Sequence, residues 1–465
     1  MFKIDYNNVR KEVIGIENGL DLENEFSSYS QKIREIIDRI YTVDEISTWL
    51  TRSYKNELLS DMQEYVHNVQ GKFDNIIVVG LGSSVLGIKA MTDTVLKPYW
   101  NSLSKEQRNG YPTIHFISNI DPDNFNACSC INNWNKTLVI IVSKDGMEAE
   151  IMSMFMILKK KMENEIGENY RHHIVACTKK GSLFHQIANQ EGYKSFVIPY
   201  EKVGPFAIIS TCGLLPIALM GINIEEMLSG AEDMVREVQN FDIFSNTVAQ
   251  IALIHYLEFI EKQKTISIMM SYSSRFKKIP TWCSQYKAEM LSKNYDKHGK
   301  LINSGQIIYS SHGCNDQHSL LQMLIEGCNN KIINIIKVEK FDSDCEIPKI
   351  FDYTAIGYLG GKTLDYLQNS EIEAMKMILT DYNIANITYT IPQITPYYIG
   401  HFMAMFMLNI VIQASLYNIN LLIQTGTENL QNYICAQMGR YGYEETLREM
   451  HEKWAKIMKQ SVLPE

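Results

Sequence analysis

A chain of 465 residues exceeds what one hydrophobic core usually supports, so two domains with terminal extensions are expected; 45% hydrophobic and 21% charged residues exclude a disordered or collagen-like chain. Lys and Arg total 44 against 53 Asp and Glu, and the formal charge of −9 gives no electrostatic reason to approach nucleic acid or an anionic membrane. A small molecule is the expected partner.

The opening Met1-Phe2-Lys3-Ile4-Asp5-Tyr6 carries no apolar run behind a basic segment and does not read as a signal peptide. Residues 1–70 read as a helical arm, with Ile33, Ile36, Ile37 and Ile40 at helical spacing. A first domain is expected over 71–235. Its first strand is Ile76-Ile77-Val78-Val79, followed by the turn Gly80-Leu81-Gly82-Ser83-Ser84 and a helix over 85–95. Further strands are predicted at 113–117, 137–142, 173–176 and 195–198, with a helix over 148–161. Continuous apolar strands alternating with helices predict an α/β sandwich on a mainly parallel sheet.

A second domain of the same kind is expected over 236–430, with strands at 265–270, 331–338 and 387–390 and helices at 224–261, 281–293 and 318–326. The stretch 402–416 is apolar but short for a bilayer, and reads as a buried helix. Residues 431–465 form a C-terminal helical segment. Two α/β halves predict a crevice at the carboxyl ends of their strands. Nine cysteines without a Cys-x-x-Cys pair read as reduced thiols of a cytosolic protein, and the adjacent His172 and His173 face opposite sides of a strand, so they do not share a metal ion.

The Gly80–Ser84 turn lacks the third glycine of a dinucleotide loop, Val85 standing in its place, and no Lys-Ser/Thr completes a P-loop. What Gly82, Ser83 and Ser84 offer is open N–H groups and two hydroxyls at a helix start, suited to an oxygen-rich ligand such as a sugar. Ser143 and Lys144 follow another apolar strand and lead into a helix, a second ligand loop at the same sheet edge. Gln285 and Glu289 lie four apart on one helical face with Trp282, where a carboxylate serves as a base. His318, in the polar stretch opening an apolar helix, suits proton relay near neutral pH.

In chain order these segments resemble the phosphoglucose isomerase family, two-domain proteins of the sugar isomerase (SIS) fold. Gly80–Gly87 is similar to G-I-G-G-S-x-L-G, Ser118-Asn119-Ile120-Asp121 to S-N-x-D, and residues 143–150 to S-K-T-F-T-T-x-E. Residues 206–216 resemble F-S-V-L-S-x-V-G-L-L-P; Gly230, Ala231 and Met234 resemble G-A-x-x-M. Trp282, Gln285, Glu289 and Lys293 follow W-x-x-Q-L-x-x-E-S-x-G-K, and residues 316–322 follow D-Q-H-S-x-x-Q. The resemblance implies aldose–ketose isomerisation of glucose 6-phosphate and fructose 6-phosphate through a cis-enediolate, without metal or organic cofactor. It implies Glu289 as base and His318 as the ring-opening group, supplied across a homodimer. Gln285 and Ser84 would hold the sugar; Ser143 and Lys144 would hold its phosphate.

Four positions depart from the family. Its phosphate-binding threonines are Asp145 and Glu148 here, and its arginine in G-G-R-F-S is Pro205. In the stretch from Gln424 to Glu428, similar to Q-P-G-V-E, the lysine expected three residues on is Gln431. At an effective dielectric near 20, a like-charge pair about 4 Å apart costs roughly 4 kcal/mol, near three decades in affinity. Asp145 and Glu148 are therefore expected either to turn outward or to hold an amine or free hydroxyls. An isomerase or epimerase of a modified or unphosphorylated sugar, and a catalytically silent sugar-binding regulator, are the alternatives.

Overall fold

The computed structural model describes residues 2–42, 57–130, 133–198, 204–421, 423 and 425–460. Gln424, named above, lies outside these residues.

Among the described residues, two five-stranded sheets organise the chain. The first has the order β3-β2-β4-β5-β6, all parallel, from Asn75–Val79 (β2), Thr113–Ile117 (β3), Thr137–Val142 (β4), Ile174–Lys179 (β5) and Lys194–Ile198 (β6). Every residue of β4 is buried, as expected where helices cover both faces. Ile76 and Val78 join one core with Val85 and Ile88 of the helix Ser83–Val95; Ile77 and Val79 join the opposite core with Ile151 and Phe155 of the helix Ala149–Ile166. The helices after the neighbouring strands β2 and β4 therefore lie on opposite faces. This is the topological switch at which α/β sheets open a crevice for ligands.

The second sheet has the order β1-β12-β11-β7-β10. Ile266–Ser271 (β7), Ile307–His312 (β10), Lys331–Lys340 (β11) and Asn386–Gln393 (β12) run parallel, and Lys3–Asp5 (β1) closes the edge antiparallel to β12. A small hairpin, Lys293–Tyr295 (β8) with Leu301–Ser304 (β9), stands apart. The architecture is α/β with mainly parallel sheets. The N-terminal segment is tied into the second sheet through β1, and the helix Leu22–Thr42 buries Ile33, Ile36, Ile37 and Ile40 beside the helix Pro396–Leu416.

That apolar helix is longer than predicted. At 21 residues it begins at Pro396 and would reach across a bilayer, yet 94% of its most apolar window is buried inside the protein. Gly400 faces Met227 and Gly230 faces Tyr397, where an added Cβ would lie 2.1 and 2.0 Å from the opposing carbonyl oxygens. The two glycines let the helices Ile224–Val238 and Pro396–Leu416 cross in backbone contact, which gives Gly230 of the G-A-x-x-M motif a packing role.

The halves meet through the helices Ser83–Val95 and Ile279–Leu291. Gly87 is the point of approach: a Cβ there would meet Ile208 at 3.0 Å and the Trp282 indole nitrogen at 3.4 Å.

Candidate active site

Two loops leave the first sheet at the switch point, and they touch. A Cβ on Gly80 would lie 3.2 Å from both Cβ and the carbonyl oxygen of Val142, the last residue of β4. In the first loop Gly82 has φ +59°, a conformation that suits glycine, and no side chain caps the helix that begins at Ser83. The first N–H groups of a helix lack partners within it, and here Gly82 has no side chain to take one. Ser83 and Ser84 are half-buried, and the Ser84 hydroxyl donates to the Leu81 carbonyl at 2.6 Å.

The second loop is folded around its own carboxylate. Ser143 is 1% exposed, and its hydroxyl donates to Glu148 Oε2 at 2.5 Å while accepting from the Gly146 N–H at 2.9 Å. The Lys144 N–H donates to Glu148 Oε1 at 3.3 Å. Glu148 therefore turns into the loop, against the expectation that it faces outward or holds a foreign group. Asp145 makes a local bond within the loop, its Oδ1 accepting the Met147 N–H at 2.9 Å. Gly146, at φ +77°, sits so close to Phe184 that a Cβ would lie 2.8 Å from its backbone nitrogen.

The helix Ile279–Leu291 starts with Pro280 in its first turn, where a missing N–H costs nothing. Trp282 and Tyr286 are buried with ring centroids 5.5 Å apart; Gln285 is exposed and Glu289 half-buried on the surface edge of the same stripe. Lys293, predicted as the end of this helix, instead opens β8, and its Nζ donates to the Glu289 carbonyl at 2.8 Å. Burial holds the Lys293 ammonium below its usual range, and the Glu289 charge offsets part of that shift.

His318 departs from expectation in its setting. The helix that carries it runs Gly313–Glu326, so His318 stands in the second turn and not at the start. Asp316 closes the helix start, its carboxylate accepting the His312 N–H at 2.6 Å and the Ser311 hydroxyl at 3.2 Å. The His318 imidazole is exposed, and among the described residues its side chain has no hydrogen-bond or ion-pair partner. Gln431 is half-buried on the helix Thr425–Gln437, and Pro205 belongs to the short turn Gly204–Ile209.

Two cations near these loops belong to none of the motifs. Lys89, half-buried, donates to the Ser118 hydroxyl at 2.6 Å, while Asp121 of the same S-N-I-D stretch caps the helix Pro122–Ser129 through the Asn124 N–H. That motif is structural here. Arg440, in the turn after the helix Thr425–Gln437, leans on the second loop with Nη2 3.6 Å from Met147 Sδ. No motif names Arg440, and it lies 293 residues along the chain from Met147.

The family model described as phosphoglucose isomerase matches residues 36–439. A glucose-6-phosphate isomerase of Carboxydothermus hydrogenoformans is 29% identical over 456 residues, covering 96% of this chain and 97% of the relative. The glucose-6-phosphate isomerase of Alkaliphilus metalliredigens is 31% identical over 412 residues, covering 88% and 89%. Among solved structures, a hypothetical protein of Thermus thermophilus superposes with a TM-score of 0.83 at 25% identity, covering 94% of this chain and 100% of that one. A glucose-6-phosphate isomerase from Chlamydia trachomatis superposes with a TM-score of 0.79 at 20% identity, covering 97% and 91%, which speaks for the fold.

Proposed function

The chain belongs to the phosphoglucose isomerase family, and from that premise we propose that it interconverts glucose 6-phosphate and fructose 6-phosphate, with Glu289 as base. As a member it is an isomerase, an intramolecular oxidoreductase acting between aldose and ketose. The observation that carries the finer reading is Glu289 half-buried on a helix packed against the one that starts at the Gly80–Ser84 loop. A partly desolvated carboxylate there is a fit base.

In this reading the sugar ring opens with His318 shuttling the proton of the ring oxygen. Glu289 takes the proton from C2 of the open aldose, a cis-enediolate forms as a proton passes between O2 and O1, and Glu289 returns its proton to C1. No atom is gained or lost. Gln285 and the Ser83–Ser84 hydroxyls orient the sugar, and the Ser143–Glu148 loop receives the phosphate end.

A second copy of the chain completes the site. Support comes from His318, exposed on its own subunit, and from the exposed apolar side chains of Tyr295, Leu301, Ile307 and Tyr309 along the hairpin and the β10 edge. Such a surface suits an isologous contact.

The test is a coupled assay with fructose 6-phosphate on Glu289→Gln and His318→Ala, alone and mixed after co-refolding. Each variant alone is expected to be inactive. The mixture is expected to regain roughly a quarter of the starting activity, since random pairing leaves half of the dimers with one intact site. No regain sinks the shared site. Turnover confined to an unphosphorylated or amino sugar assigns a different substrate, and ligand-induced stabilisation without turnover assigns a regulator.

A further inference from the structure

The Ser143–Glu148 loop already holds an anion, and the anion is its own. A carboxylate presents two oxygens to a hydroxyl and a backbone N–H much as a phosphate would, and Glu148 takes the Ser143 and Lys144 donors in that way. A sugar phosphate entering the family pose meets these donors in use and a like charge in place. Without a further cation, that loop disfavours the ligand that the reading above requires.

Arg440 is placed to reverse this balance. Its guanidinium contacts Met147 Sδ at 3.6 Å and Cys435 Sγ at 3.5 Å and lies over the Tyr443 ring, 5.5 Å from its centroid. Among the described residues no carboxylate oxygen lies within ion-pairing distance of it, so its N–H fork meets soft sulfur and a ring face only. The hydrogen bond to Cys435, with the Asp145 carboxylate nearby, holds the guanidinium pKa above its usual value. A planar fork with spare donors is the side chain best matched to a phosphate, which it grips through two parallel bonds. Arg440 is exposed, on a turn with Gly439 at φ +72°, so it reaches a ligand without disturbing the core.

We propose that Arg440 confers phosphate affinity on this site, gripping the sugar's phosphate as that group displaces the Glu148 carboxylate from Ser143 and Lys144. The inference rests on the isomerase reading for its substrate. It assigns two specificity residues: Arg440, which admits the phosphate, and Glu148, which competes with it. An uncharged sugar, unable to draw the guanidinium or evict the carboxylate, is discriminated against.

Steady-state kinetics with fructose 6-phosphate, on the starting protein, Arg440→Gln, Arg440→Lys and Glu148→Thr, tests this. Losing one charge-assisted contact raises KM about 10- to 100-fold in Arg440→Gln, with kcat changed less than about threefold. Arg440→Lys recovers part of that loss, and Glu148→Thr lowers KM about tenfold. A KM for Arg440→Gln within twofold of the starting protein, or a loss confined to kcat, overturns the inference while leaving the isomerase reading intact. If the starting protein does not turn over the substrate, that reading falls separately, and calorimetry with inorganic phosphate decides the inference. Weaker binding in Arg440→Gln and tighter binding in Glu148→Thr sustain it; equal or absent binding in all three overturns it.

Discussion

The two loops at the switch point share a plan and differ in what fills them. Each follows a buried parallel strand, each turns through a glycine with positive φ, and each leads into a helix. After β2 the helix start is uncapped, with two half-buried hydroxyls beside it. After β4 the residue at the cap position, Glu148, ignores its own helix and bonds back to Ser143 and Lys144. Open donors suit the neutral hydroxyls of a sugar. Donors held by an internal carboxylate admit a ligand only if it binds more strongly than that carboxylate, so on the proposed reading the second loop sets a threshold where the first sets a pose.

The largest effect divides the site into a chemical end and a binding end. On the proposed reading Glu289→Gln keeps the shape of the side chain and removes the base, and a general base contributes about 10² to 10⁴ in rate, so kcat is expected to fall by that factor with KM little changed. Ser143→Ala deletes a hydroxyl that both donates to Glu148 and accepts from Gly146, and the loss should appear mainly in KM. Steady-state kinetics on both variants checks this. A kcat loss in Ser143→Ala as deep as in Glu289→Gln would erase the division.

Much of this arrangement is legible in the residues, for physical reasons that also mark where legibility stops. The strands of the first sheet read as apolar runs because helices cover both faces. β10 was missed because it is an edge strand, with Ile307 and Tyr309 exposed between less exposed neighbours, and β1 because three residues carry no period. The start of the His318 helix was missed because its first turn is polar and opens on Gly313, the residue that lets the Tyr272 ring lie against the backbone; a Cβ there would sit 2.4 Å from the ring. Glu289 and His318 announce themselves through motifs. The inward turn of Glu148 does not, since a carboxylate in a loop is compatible with either direction, and Arg440 reaches Met147 only through tertiary packing.

The glycines of the two loops give an effect of middle size and a direct contrast. Gly146→Ala meets both a left-handed backbone and a Cβ 2.8 Å from Phe184 backbone, and should cost about 2–5 kcal/mol of stability. Gly82→Ala meets open space, so only the backbone term of about 1–3 kcal/mol applies. Denaturant midpoints of the two variants measure the difference. The reverse order would mean that the second loop is the more yielding one, and that Glu148 is not held by a rigid turn.

The effect smallest at neutral pH concerns the scaffold beneath the chemistry. Lys287, on the buried side of the helix that carries Glu289, donates to Gln306 Oε1 at 2.6 Å, and burial pushes its pKa down to about 7. Its unfolded value is near 10.5, so between about pH 7 and 10.5 the unfolded chain binds the extra proton and stability rises with pH, at up to about 1.4 kcal/mol per unit from this group. Below pH 7 both states hold the proton, and the burial cost is constant. Lys287→Met removes the titration, leaving a pH-independent cost of about 1–3 kcal/mol for the orphaned Gln306 oxygen. The stability of Lys287→Met relative to the starting protein should therefore be flat up to pH 7 and fall steadily above it, measured from urea midpoints between pH 6 and 10. A difference that stays level across that window would show that the buried ammonium keeps its ordinary pKa.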